Sequence, residues 1–163
     1  MSAPTALATG RYTLVAQRCA VRFTARGFGL PVRGAFSVRT GEVRSDADAT
    51  TVTAVLDAAS FHTRSARRDR DVRSARFLDV ERFPDIAVTG RWTGPGSPLS
   101  TSVTVKEVIA PVEVEIADVE RSAHRVVVRA RARIDRRTFA VGPAHGPVGR
   151  WIDVELEIVL VPG

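Results

Sequence analysis

The chain has 163 residues and one cysteine, Cys19. A single thiol excludes an internal disulfide and any cysteine-based metal cluster. Lysine is almost missing: twenty-three of the 24 basic side chains are arginine, and Lys106 is the exception. No apolar run of about 18 residues occurs, which predicts no membrane-spanning helix and no stable membrane insertion. Met1 to Gly10 contains Ser, Ala, Pro and Thr, with no basic segment followed by a long apolar one. That pattern predicts a cytoplasmic protein without a secretory leader. Repeats, low-complexity tracts and interdomain linkers are absent, so residues 1–163 read as one domain, a size that all-β sandwiches and barrels reach as single units. Aromatic residues are few, at 6%.

What is present is strict alternation. Arg125, Val127, Arg129, Arg131 and Arg133 lie on one face of an extended segment, and Val126, Val128, Ala130, Ala132 and Ile134 on the other. Val154, Leu156, Ile158 and Leu160 alternate with Glu155, Glu157, Val159 and Val161. Similar runs cover Val112–Ala117, Val21–Arg26 and Val52–Asp57. Period-2 patterning of this kind marks strands with one apolar and one wet face. Gly/Pro-rich loops at 27–31, 94–98 and 142–147 separate them. About eight strands result, joined as an antiparallel meander. Such a set hides its edges by closing into a barrel or by stacking as a sandwich.

The interruption is the charged stretch at 60–84. Ser60 or Thr63 is a candidate cap for a helix running from Ser65 to Ser74, and Pro84 ends the segment. The spacings Arg68–Asp71 and Asp69–Arg73 suit ion pairs on a helix surface. A structured insertion of this length between strands commonly lids, plugs or binds.

Catalytic signatures are missing. His62, His124 and His145 have no second histidine at a metal-ligand spacing, so no metal and no cofactor is predicted. Asp69 and Asp71 sit among Arg67, Arg68, Arg70 and Arg73, which keep both carboxylates ionised and favour structural pairing over acid–base work. No nucleophile elbow or phosphate loop precedes a helix. Several inward positions are small: Ala25, Ala54, Ala130 and Ala132. In a barrel these leave an elongated apolar cavity, unless large residues from opposite strands, the seven Phe among them, fill it; the sequence leaves both open.

The chain resembles the YceI-like family of lipocalin-like, polyisoprenoid-binding proteins from about Tyr12 to Ile158. The most specific segment is Arg68-Asp69, then Val72-Arg73-Ser74, then Phe77-Leu78-Asp79-Val80, then Phe83-Pro84-Asp85-Ile86. Ala59 to Thr63 resembles the approach to that helix. Gly34-Ala35-Phe36 resembles the Gly-x-Phe return of the opening hairpin. Val103 to Val112 and Ile134 to Val141 resemble two later family segments. The chain departs from the pattern at Asp71, Glu107, Ala140, Arg18-Cys19 and Arg26; Glu107 and Ala140 stand where glycine is usual.

The resemblance implies an all-β fold: an extended antiparallel eight-stranded β-barrel, lipocalin-like, with a short helical insertion at about 64–80. It implies a non-catalytic protein that binds, carries or sequesters a long apolar ligand, such as a polyisoprenoid, an isoprenoid quinone or another lipid. The expected lining is Val21, Phe23, Phe36, Leu56, Phe77, Phe83, Ile86, Val88, Val128, Ile134 and Phe139. Arg68 and Arg73 are candidates to meet a polar head group or to hold the helix. An alternative is an enzyme acting on a small hydrophobic metabolite in the same cavity, with His62 or His145 turned inward beside Asp69 or Asp79. A third reading, an arginine-rich surface for nucleic acid or membrane, has too few interleaved aromatics for base stacking, and no nucleic-acid partner is expected. Val127, Val159 and Val161 form the candidate apolar patch for a homodimer, and are equally consistent with a second packed layer.

Overall fold

The computed structural model describes residues 7–142 and 148–163. Nine strands form one sheet: β1 (Gly10–Leu14), β2 (Ala20–Gly27), β3 (Leu30–Ser45), β4 (Thr50–His62), β5 (Asp85–Trp92), β6 (Leu99–Val105), β7 (Val108–Arg121), β8 (Val126–Asp135) and β9 (Trp151–Pro162). All pairings are antiparallel. Neighbours run from β4 through β5, β6, β7, β8 and β9 to β2 and β3, and β3 pairs back onto β4 to close the ring. Closure removes every free edge, which is how an antiparallel sheet of this length avoids templating aggregation.

The barrel has eight wall positions although there are nine strands. β1 and β2 share one position, because both pair with β3 and both pair with β9. Between them, residues 15–19 leave the wall through a short turn at Ala16–Arg18. The gap in the ladder is bridged by the lone thiol: the Val159 N–H donates to Cys19 Sγ at 3.4 Å. Burial raises the pKa of that thiol above its ordinary value, so it stays protonated.

The candidate dimer patch does not survive folding. Val127 and Val159 are buried in the single chain, and only Val161 of the three is partly accessible. The excursion through residues 15–19 lies beside Val159, with the Val15 N–H donating to the Val159 carbonyl at 2.9 Å.

Alternation holds along most strands, and bulges shift its phase where it fails. On β7, Val112 and Val114 point inward until the register slips between Ile116 and Asp118. On β3 the register slips twice, between Ala35 and Ser37 and between Val38 and Thr40. The outer wall is a cross-strand charge ladder. Arg131 bonds Glu115 across β8–β7 at 3.0 Å, Arg133 bonds Asp153 across β8–β9 at 3.0 Å, and Arg129 reaches Asp118 and Glu120. These exposed pairs are worth little individually, but they give the strands their wet face.

The four connections β2–β3, β4–β5, β6–β7 and β8–β9 lie at one end of the barrel. The β2–β3 turn is only Phe28 and Gly29, since Gly27 pairs with Leu30 and Pro31 lies within β3. The β4–β5 connection carries the one α-helix among the described residues, α1 (Ala66–Arg73), followed by turns rather than helix to residue 82. α1 starts later than either expected cap allows. Ser65 is the N-cap, its Oγ accepting from the Arg68 N–H at 3.2 Å. Thr63 is engaged elsewhere: Asp69 Oδ1 accepts from Thr63 N at 2.9 Å and Thr63 Oγ1 at 2.7 Å. That buries Asp69 and ties α1 to the end of β4. Among the described residues, neither Arg68–Asp71 nor Asp69–Arg73 forms an ion pair.

Candidate functional site

The interior divides into a packed end and an empty one. At the α1 end, three rings close the barrel. Phe23 stacks on Phe61 with centroids 5.2 Å apart, and Phe36 sits 5.7 Å from Phe23 and 5.5 Å from Phe61. Gly34 makes room for this stack, because a Cβ there would lie 2.4 Å from Phe23 Cζ and 2.5 Å from the His62 carbonyl oxygen. Leu78, Ile86 and Phe139 join the same core, and Ile134 packs against it.

Beyond the rings is a cavity of about 170 Å³. The inward faces of the strands supply it: Leu14, Val21, Val38 and Val43 from β1 to β3, Val52, Ala54 and Leu56 from β4, Val114, Ile116 and Val119 from β7, Val128 and Ala130 from β8, and Leu156, Ile158 and Leu160 from β9. Val88, Trp92, Leu99 and Leu7 complete it, with Leu7 and Trp92 at the end opposite α1. The space exists because β4 and β8 present alanine at Ala54 and Ala130 while the phenylalanines are spent at the other end.

The cavity wall is apolar apart from Thr50, Thr101 and Trp92. Its polar atoms already have partners: Thr101 Oγ1 donates to the Val112 carbonyl at 2.6 Å, Thr50 Oγ1 shares a hydrogen bond with Ser45 Oγ at 3.0 Å, and Trp92 Nε1 donates to the Ser97 carbonyl at 3.0 Å. Among the described residues, no titratable side chain lines it. Among the described residues, no cluster of His, Cys, Asp and Glu is placed to hold a metal. A space with satisfied walls and no free polar group stays dry and accepts apolar matter.

Of the expected lining, Val21, Leu56, Val88 and Val128 face this cavity. Phe23, Phe36, Ile86, Ile134 and Phe139 belong to the packed end. Phe77 and Phe83 lie on the β4–β5 connection, outside the cavity wall. Phe77 packs where a Cβ on Gly142 would come within 2.6 Å of its ring, and Phe83 carries the Arg82 guanidinium 5.1 Å above its face. Leu14, Val43, Trp92 and Val119 line the cavity without having been expected. Val119 was detectable in principle, since Asp118 falls on what would be an inward position and so announces the bulge that returns Val119 to the interior.

The two candidate head-group arginines bond to the protein itself. Arg73 Nε donates to the Phe61 carbonyl at 3.1 Å, and Arg68 reaches Thr63 Oγ1 at 3.3 Å. No residue of α1 lines the cavity. His62 is exposed and turned to its neighbouring Ser60 carbonyl at 3.1 Å, while Asp69 is held by Thr63 and Asp79 pairs with Arg82 at 3.5 Å. The inward histidine–aspartate pair is therefore not formed by His62; His145 lies outside the described residues. The loop beyond β8 is fastened by Arg136, a buried guanidinium that donates to the carbonyls of Gly149 at 2.9 Å, Val141 at 3.0 Å and Val148 at 2.8 Å. Burial lowers its pKa from the usual arginine value.

Comparisons with known proteins agree with this architecture. The fold matches Burkholderia cenocepacia BcnA with a TM-score of 0.78 at 18% identity, covering 90% of this chain and 98% of that one. It matches a polyisoprenoid-binding domain from Saccharophagus degradans with a TM-score of 0.74 at 15% identity, covering 93% and 98%. The Campylobacter jejuni YceI protein follows at a TM-score of 0.61 and 17% identity, covering 78% and 81%. No curated protein sequence matches the chain. The YceI-like domain profile matches residues 12–160, nearly the whole barrel from Tyr12 on β1 to Leu160 on β9, and the chain belongs to that family.

Proposed function

We propose that this protein binds and shields a long apolar chain, of the polyisoprenoid class, inside its barrel, and that it does so without catalysis. The observation that carries this reading is the apolar cavity whose every polar wall atom is hydrogen-bonded within the protein. A ligand there is held by burial alone, at about 0.8 kcal/mol per methylene. Among the described wall residues no titratable group is present to transfer a proton or to activate the Thr50 and Thr101 hydroxyls. The structural likeness to a polyisoprenoid-binding domain supports the ligand class.

The size of the space sets how binding proceeds. A cavity of ~150 Å³ accommodates a benzene-sized molecule, so about 170 Å³ receives one branched terminal unit. A longer chain extends toward the Leu7 end and displaces Leu7, whose carbonyl accepts a long 3.4 Å bond from Ser45 Oγ.

Trp92 reports occupancy directly, since it lines the cavity while the second tryptophan, Trp151, is on the outer rim. In a Trp151→Phe background, titration with a C20 isoprenoid alcohol is expected to change Trp92 emission saturably. A flat titration, in protein shown to be folded, contradicts the reading.

A further inference from the structure

We propose that the α1 end of the barrel is a docking surface for an anionic lipid membrane. The proposal rests on two features of that end, neither of which depends on what fills the cavity.

The first is apolar exposure. Among the described residues, the large hydrophobic side chains left open to solvent are Phe28, Leu30, Ile109 and Trp151. All four lie at this one end: Phe28 and Leu30 at the β2–β3 tip, Ile109 just after the β6–β7 turn, and Trp151 at the start of β9. The tip and β9 are neighbours, since the Gly149 N–H donates to the Arg26 carbonyl at 2.8 Å and Gly27 bridges to Val148. Phe28 is 85% exposed and Leu30 68%. Phe28 also has φ of 52°, and Gly29 φ of 79°. A two-residue hairpin turn with both central residues left-handed favours Asn-Gly, and an aromatic residue at the first position is disfavoured. The tip thus holds a large apolar ring in solvent, in a backbone conformation that suits asparagine better. Folding alone rewards neither.

The second is charge. The described connecting residues at this end, 28–29, 63–84, 106–107, 136–142 and 148–150, carry eleven basic and five acidic side chains. That excess equals the formal net charge of the whole chain, +6. At the other end, residues 46–49, 93–98 and 122–125 carry one basic and two acidic side chains. Arg64, Arg67 and Arg70 of the α1 region are all exposed. Trp151 has Arg150 4.9 Å above its ring. Exposed apolar side chains at the same end as these arginines, with an indole among them, fit the interface of an anionic bilayer: the cations meet the head groups and the side chains at the tip enter the acyl boundary. Docked this way, the Leu7 end of the cavity points away from the bilayer.

The test is co-sedimentation of the full chain with vesicles of equimolar phosphatidylcholine and phosphatidylglycerol, against vesicles of phosphatidylcholine alone. Partitioning is expected to favour the anionic vesicles and to weaken with salt. The Phe28→Asn/Leu30→Thr variant should bind the anionic vesicles about tenfold less, while its melting temperature holds or rises, because asparagine suits the left-handed turn. Arg64→Glu/Arg67→Glu should weaken partitioning about fivefold per charge. The proposal is overturned if the tip variant partitions like the wild type, if neutral and anionic vesicles bind alike, or if vesicles are ignored while the wild type self-associates through the tip and the variant does not.

Discussion

Substituting Ala130→Leu asks whether the barrel is truly empty. Ala130 sits on β8 between Ile116 and Leu156 across the ladder, all three facing the cavity. Leucine adds three carbons. At about 0.8 kcal/mol for each carbon taken from water, the gross gain is about 2.4 kcal/mol. Fixing the leucine rotamer returns about 0.5–1 kcal/mol, leaving a net stabilisation of about 1.5–2 kcal/mol. For a domain of this size that corresponds to a rise in melting temperature of about 3–8 °C. The assay is thermal unfolding of protein refolded from denaturant after delipidation, since bound lipid would itself raise the transition. The same variant should lose affinity for the C20 isoprenoid alcohol, because the added side chain occupies the ligand's space. In a filled interior the sign reverses, as overpacking costs about 1–3 kcal/mol. A fall in melting temperature would therefore refute the cavity and the binding reading built on it.

Three further outcomes follow from particular contacts. Gly34→Ala is expected to destabilise by about 1–3 kcal/mol in a denaturant titration, because the new methyl meets a backbone oxygen, which cannot rotate away, as well as Phe23; a neutral effect would mean the aromatic end is loosely packed. Ala140, at φ of 53°, occupies a left-handed position, so Ala140→Gly should stabilise by about 0.5–1 kcal/mol, and destabilisation would show that the loop does not hold that conformation. The hydrogen bond from Arg150 holds the Asp135 carboxyl below its ordinary range. As pH falls through that range, the unfolded chain takes up a proton that the native state refuses, so this contribution to stability is present at neutral pH and lost in acid. The melting-temperature difference between wild type and Asp135→Asn should shrink on acidification; a difference independent of pH would contradict the pairing.

The strands were legible because one face of each is wet. The arginines at 125–133 and the glutamates at 155 and 157 announce β8 and β9, and the charge ladder that runs from β8 to Glu115, Asp118 and Glu120 on β7 and to Asp153 on β9 is a direct product of that alternation. Closure into a barrel was not legible from periodicity, because it depends on β3 pairing with β4 on one side and β2 on the other; only the family resemblance supplied it. The division of one wall position between β1 and β2 was also hidden, since no local signal says that two short strands will share the same neighbours. Four of the eleven residues expected as lining face the cavity, and one physical reason separates them from the rest: in a barrel the phenylalanines fill space, and the cavity opens where side chains are smaller. Hence Val21, Leu56, Val88 and Val128 face the cavity, while Phe23, Phe36 and Phe139 pack the α1 end. Ala140 carries a related lesson: the backbone keeps the left-handed turn that glycine usually serves, although the residue has changed.

The most direct measurement is organic extraction of the purified protein followed by mass spectrometry of the extract. The account predicts a long apolar lipid in near-stoichiometric amount, released from the wild type and reduced in Ala130→Leu prepared in parallel. A wild-type extract without such a lipid, from folded protein whose Trp92 emission also ignores added isoprenoid alcohol, would contradict the claim that this barrel exists to hold an apolar chain.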